Sequence, residues 1–94
     1  MYTVKVYHHC KAWRNGDLED DFQLKENQQF GTRKAAKDYI MSCVRGKKIE
    51  EYWHKGDERS YVLYFTGETW QHENSGETMA EYYQYILEKT KVHR

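Results

Sequence analysis

The sequence predicts an α+β domain, a four-stranded and mainly antiparallel sheet with two helices packed on one face, in the order β-β-α-β-β-α. Three observations lead there. Apolar residues alternate from Tyr2 onward, the run Tyr61-Val62-Leu63-Tyr64-Phe65 reads as an interior strand, and two other segments repeat apolar residues at spacings of three and four. With 94 residues the chain makes a single domain, 1–94, with one core. Leu, Ile, Val and Phe number only fifteen, so nine Tyr and three Trp must supply much of the buried area.

In the first strand Tyr2, Val4, Val6, His8, Cys10 and Ala12 share one face, and Thr3, Lys5, Tyr7, His9, Lys11 and Trp13 share the other. The first set is expected to face the core. Asn15-Gly16 marks a hairpin, and Leu18, Phe22 and Leu24 resume the alternation. A two-residue turn would pair Arg14 with Asp17 and send Val6 and Leu24 to opposite faces. A three-residue loop with Gly16 in a left-handed bulge position instead pairs Ala12 with Leu18, His8 with Phe22 and Val6 with Leu24. It also sets Lys11 against Glu19 and His9 against Asp21, and this register is the expected one because it serves both faces.

Thr32 to Arg45 is expected to be helical, with Ala36, Tyr39, Ile40, Cys43 and Val44 on its apolar side. Thr32 is its N-cap and Gly46 its left-handed stop. A second hairpin takes Ile49 to His54 out, turns at Lys55-Gly56-Asp57 and returns along the strand from Tyr61. Glu68 to Asn74 is a polar connection around Trp70, with room for a short strand. A final helix is expected from the stripe Met79, Tyr82, Tyr83, Ile86 and Leu87, opened by a Thr78/Glu81 capping box or earlier, at Asn74 or Ser75. With both helices on one side, the other sheet face is partly open. Tyr7, Trp13, Tyr64 and either Tyr52 with His54 or Trp53 are the candidates to line it.

No catalytic arrangement is recognisable, and the chain is read as a non-enzyme. Cys43 lies on an apolar stripe, and Cys10 has similar surroundings; both are expected to be reduced and buried. Glu50 and Glu51 point to opposite strand faces. The glycines form no phosphate loop, and no cofactor is expected. His8 and Cys10 share a face, but zinc sites take paired ligand motifs, so no metal is expected. Nothing reads as a signal peptide or membrane span, and a cytoplasmic location follows by default.

Charge is segregated although the total is neutral. Residues 31–48 carry six basic side chains against Asp38 alone, a net of plus five, while residues 61–88 carry five Glu and no Lys or Arg. On the first helix Lys34, Lys37, Met41, Arg45 and, if the helix continues, Lys48 form a stripe opposite the apolar one. Arg33 and Lys34 oppose the helix dipole, an inversion that makes the helix start a candidate anion site.

The expected function is a small protein-binding module of the inhibitor or adaptor type, self-association included, anchored by the outward aromatics Tyr7, Trp13 and Tyr85 or by Arg33 and the basic stripe. The alternative is nucleic-acid binding through the basic first helix, against which the neutral balance counts. In composition alone, short, free of Pro and rich in aromatic and charged residues, the chain looks like small accessory proteins of phages and mobile elements.

Overall fold

The computed structural model describes residues 1–14, 17–55, 59–66, 70–71 and 78–90. It is an antiparallel sheet with a single helix on one face. The strands are β1 (Tyr2–Arg14), β2 (Asp17–Phe30), β3 (Ile49–Tyr52), β4 (Ser60–Phe65), β5 (Trp70–Gln71) and β6 (Thr78–Lys89), and α1 spans Arg33–Cys43. The sheet order is β2-β1-β6-β4-β3, and the two-residue β5 pairs with the start of β6. Among the described residues no helix is long and apolar enough to cross a membrane.

The expected second helix is therefore corrected, and with it the four-stranded, two-helix architecture: its residues form β6, the central strand. Met79, Tyr82, Tyr83, Ile86 and Leu87 do fall at helical spacing, yet the same stretch also alternates. Tyr83, Tyr85 and Leu87 lie opposite His8, Val6 and Val4 on the helix side, while Tyr82 and Ile86 lie opposite His9 and Lys5 on the other. A strand between two neighbours buries both faces and reads as an almost unbroken apolar run, and aromatic and β-branched residues favour that state. Tyr82, Tyr85, Ile86 and Leu87 are all buried. No capping box forms: Thr78 opens a strand, and the Glu81 carboxylate lies 2.9 Å from His8 Nε2.

The first hairpin is corrected too. Arg14 pairs with Asp17, which leaves only Asn15-Gly16 between the strands, residues that lie outside those described. His9 therefore opposes Phe22 rather than Asp21, and Lys11 opposes Asp20 rather than Glu19. Further along, an irregularity between Val6 and Tyr7 absorbs Lys25, so that Val6 meets Glu26 while Tyr7 meets Leu24. The bulge does what the longer loop was expected to do, since it shifts β2 by one residue. It shifts only the end under the helix, so Leu18, Phe22 and Leu24 stay on the side away from it.

The first helix forms as its sequence dictates. Thr32 Oγ1 accepts from the Ala35 N–H at 3.1 Å, and Gly46 has a φ of 74°, the left-handed conformation that closes a helix. Ala36, Ile40 and Val44 press onto Val4 and Val6 of β1, Val62 of β4 and Tyr85 and Leu87 of β6 to make the core. Tyr39 ties α1 to β2, its hydroxyl donating to the Glu26 carboxylate at 3.2 Å and accepting from Gln28 Nε2 at 3.1 Å. The strand from Tyr61 is interior as expected, between β6 and β3. Val62 and Tyr64 face the helix, and Tyr61, Leu63 and Phe65 face away.

Candidate interaction surface

The sheet face opposite α1 has no covering element among the described residues. Backbone pairing lines up four of its rings, one per strand: Phe22 on β2 opposes His9 on β1, His9 opposes Tyr82 on β6, and Tyr82 opposes Phe65 on β4. The rings meet accordingly. Phe22 stacks on His9 at 5.6 Å between centroids, His9 lies nearly parallel to Tyr82 at 4.8 Å, and Phe65 sits 5.8 Å from Tyr82. Tyr7 touches the edge of Phe22 at 6.1 Å, and Lys11 Nζ stands 5.4 Å over the Tyr82 ring.

His9 is the fixed point of this row. Its Nε2 lies 2.9 Å from Gln84 Oε1 and its Nδ1 lies 3.3 Å from Asp20 Oδ1, so both ring nitrogens are held by neighbouring strands. At the β2 edge the row ends in exposed apolar side chains, with Leu18 52 %, Phe22 60 % and Leu24 50 % exposed. Apart from this row, at the β3 edge of the sheet, Tyr52 and Tyr61 stack at 4.6 Å.

Beside the rings, Lys5 and Arg59 both reach Glu88, at 2.9 and 3.2 Å, in a cleft of about 420 Å³ that Asn27 and Gln29 also line. The Lys5 hydrogen bond holds the Glu88 carboxyl below its ordinary value. Much of the acidic set expected between 61 and 88 is thus neutralised locally or lies outside the described residues.

The residues singled out from the sequence divide in two. Tyr7 is on the open face. Trp13 pairs with Leu18 there, although its side chain lies outside the described residues. Tyr85, expected to point outward from a helix, is 8 % exposed against the core, where burial pushes its phenol up to about 12. Tyr64, a candidate for the open face, packs on the helix side and stacks 5.9 Å from Tyr83.

The basic residues of α1 do not converge. Arg33 donates to the His54 carbonyl at 2.7 Å, Lys34 pairs with Asp38 at 2.9 Å, and Lys37 stands 4.7 Å over the Trp53 ring. These contacts account for cations at the positive end of the helix dipole: two of them bind the chain that follows β3. Met41, expected on the stripe opposite the apolar one, packs against the core. Arg45 and Lys48 lie beyond the helix, which ends at Cys43 rather than Arg45, and are exposed. Among the described residues no three His, Cys, Asp or Glu side chains are placed to hold a metal ion.

The open face, and not the helix, was the surface that sequence reasoning underestimated. Leu18, Phe22 and Leu24 are expected in the core and lie instead on this face, beside the buried Tyr82 and the half-buried Phe65. The two-residue Asn15-Gly16 spacing was the signal that places all three β2 residues outside.

Among the described residues the architecture is an antiparallel sheet with one helix on one face and a row of rings across the other. In comparison with known proteins the chain matches no family model, no curated protein and no solved structure.

Proposed function

We propose that the protein is a small non-enzymatic protein-binding module whose contact surface is the open sheet face, from Leu18, Phe22 and Leu24 across His9 and Tyr82 to Phe65. One observation carries this reading. Three large apolar side chains, each at least half exposed, sit together on one edge strand and continue into a row of rings. Single exposed apolar residues are ordinary, but a contiguous patch with aromatic anchors and a polar rim is the make-up of a protein contact. Lys5, Glu88, Lys11 and Asp20 supply such a rim. The partner is a protein surface with apolar groups of its own, since the cations here are matched by carboxylates.

The alternative, nucleic acid on the basic side of α1, draws on less. Lys34 is engaged by Asp38 and Lys37 by Trp53, and phosphate binding needs several uncommitted cations.

The test is capture from lysate, with and without nuclease, by three forms of the protein. Wild type is compared with Phe22→Ser/Leu24→Ser and with Lys34→Glu/Lys37→Glu/Arg45→Glu. The expected result is an association that survives nuclease, persists in the helix variant and is lost in the sheet variant. Loss on nuclease treatment, or loss in the helix variant alone, would overturn the reading.

A further inference from the structure

We propose that the partner is a second copy of this chain, joined through the outer edge of β2 in an antiparallel pairing about a two-fold axis at Phe22. This rests on the protein-binding reading above and names its partner.

β2 is the terminal strand of the sheet, and its outer edge pairs with no strand among the described residues. It is 14 residues long and almost wholly exposed. Proteins usually blunt such an edge with Pro, with lysines or with a short strand, because open N–H and C=O groups recruit another chain. This edge has no Pro and a single Lys, and its one irregularity lies near Lys25.

Charge selects the register. The strand carries Asp17, Glu19, Asp20, Asp21 and Glu26 against Lys25 alone. Registers centred on any residue of the acidic run from Asp17 to Asp21 set like charges face to face, which costs stability. With the axis at Phe22 no like charges oppose. Glu19 then meets Lys25 of the second copy, Asp20 meets Leu24, Asp21 meets Gln23, and Phe22 meets itself. By two-fold symmetry the Glu19–Lys25 pair forms twice. A register centred between Lys25 and Glu26 would also join opposite charges, but it puts the two-fold axis itself on the bulge, where the ladder is interrupted. The Phe22 register reaches the bulge only at Lys25, away from its axis.

The same register has a second consequence. Phe22 ends the row Phe65, Tyr82, His9, Phe22, so facing it with the second Phe22 joins two four-ring rows into one across a continuous sheet. Phe22 and Leu24, exposed at the β2 edge, gain cross-strand neighbours at the centre of the contact.

Sedimentation of the full chain from micromolar to millimolar concentration tests this, with circular dichroism melts confirming that each variant is folded. Wild type is expected to sediment as a dimer. Lys25→Glu and Glu19→Lys, alone, should each weaken self-association roughly tenfold, because two symmetric pairs turn from attraction to repulsion. The double variant Glu19→Lys/Lys25→Glu should restore it. A wild type that is monomeric throughout would overturn the proposal, as would a dimer whose strength the single variants leave unchanged or the double variant fails to restore. A monomeric wild type that still captures a different protein through Phe22 and Leu24 would overturn the second copy alone and leave the binding face standing.

Discussion

On the helix side of the sheet Val4, Val62 and Ile40 are wholly buried, whereas on the opposite side Phe22, a larger apolar side chain, is 60 % exposed. Both faces are built from the same strands. The difference is cover: α1 spans only one face, over Val4, Val6, Val62 and Leu87. The covered face therefore carries most of the core; on the other face Tyr82 and Ile86 are buried among their strand neighbours, and exposure is concentrated at the β2 edge. His9, fixed by Asp20 and Gln84, shows how polar contacts order a ring on the face that no described element covers.

This contrast makes graded predictions. Val62→Asp should abolish folding, because it buries an unpaired charge under α1. Leu63→Asp, on the next residue but facing the open side, should still give a folded protein with a lowered melting point. Equal loss of structure in the two would mean that both faces are core.

The phenols give an intermediate effect. Burial pushes Tyr85 and Tyr39, both at the helix interface, up to about 12. The folded chain thus holds these protons more tightly than the unfolded one, whose phenols titrate at the ordinary value of 10.0. Their contribution is complete below that pH and is lost as pH rises through about 12. Melts across this range should show a steep alkaline loss that Tyr85→Phe reduces.

Glu88 works with the opposite sign. The Lys5 hydrogen bond lowers its value in the folded state, so its contribution is present above the ordinary 4.5 and fades as pH falls below it. Glu88→Gln should flatten the acid limb of the stability profile and, because the same carboxylate raises Lys5 above its ordinary 10.5, also weaken the contribution that is lost at alkaline pH. The smallest effect belongs to the helix surface, where Lys34→Ala should change stability by less than about 0.5 kcal/mol, as exposed ion pairs do.

The sequence made some of this legible. Thr32, Gly46 and the spacing of Ala36, Ile40 and Val44 identified α1, because capping and periodicity act within one turn of helix. Tyr61–Phe65 was recognisable as interior, because a strand paired on both sides is apolar on both faces. β6 was not legible from its stripe, since Met79, Tyr82, Tyr83, Ile86 and Leu87 satisfy a helix as well as a doubly buried strand, and pairing with β1 decides between them. The candidate surface was hidden by one assumption, that every apolar residue of β2 goes inward. The bulge at Lys25 makes that unnecessary: it turns Phe30 and Glu26 toward the helix and leaves Leu24, Phe22 and Leu18 outside.

The most direct test of the two-faced sheet is a pair of melts at one pH, Ile40→Ala beside Phe22→Ala. Ile40 fills the covered core, so its truncation should cost about 2–5 kcal/mol. Phe22 loses only its ring contacts with Tyr7 and His9, so its truncation, measured on dilute protein, should cost at most about 1 kcal/mol. A Phe22→Ala loss as large as that of Ile40→Ala would contradict the account, because it would make the bare face part of the core.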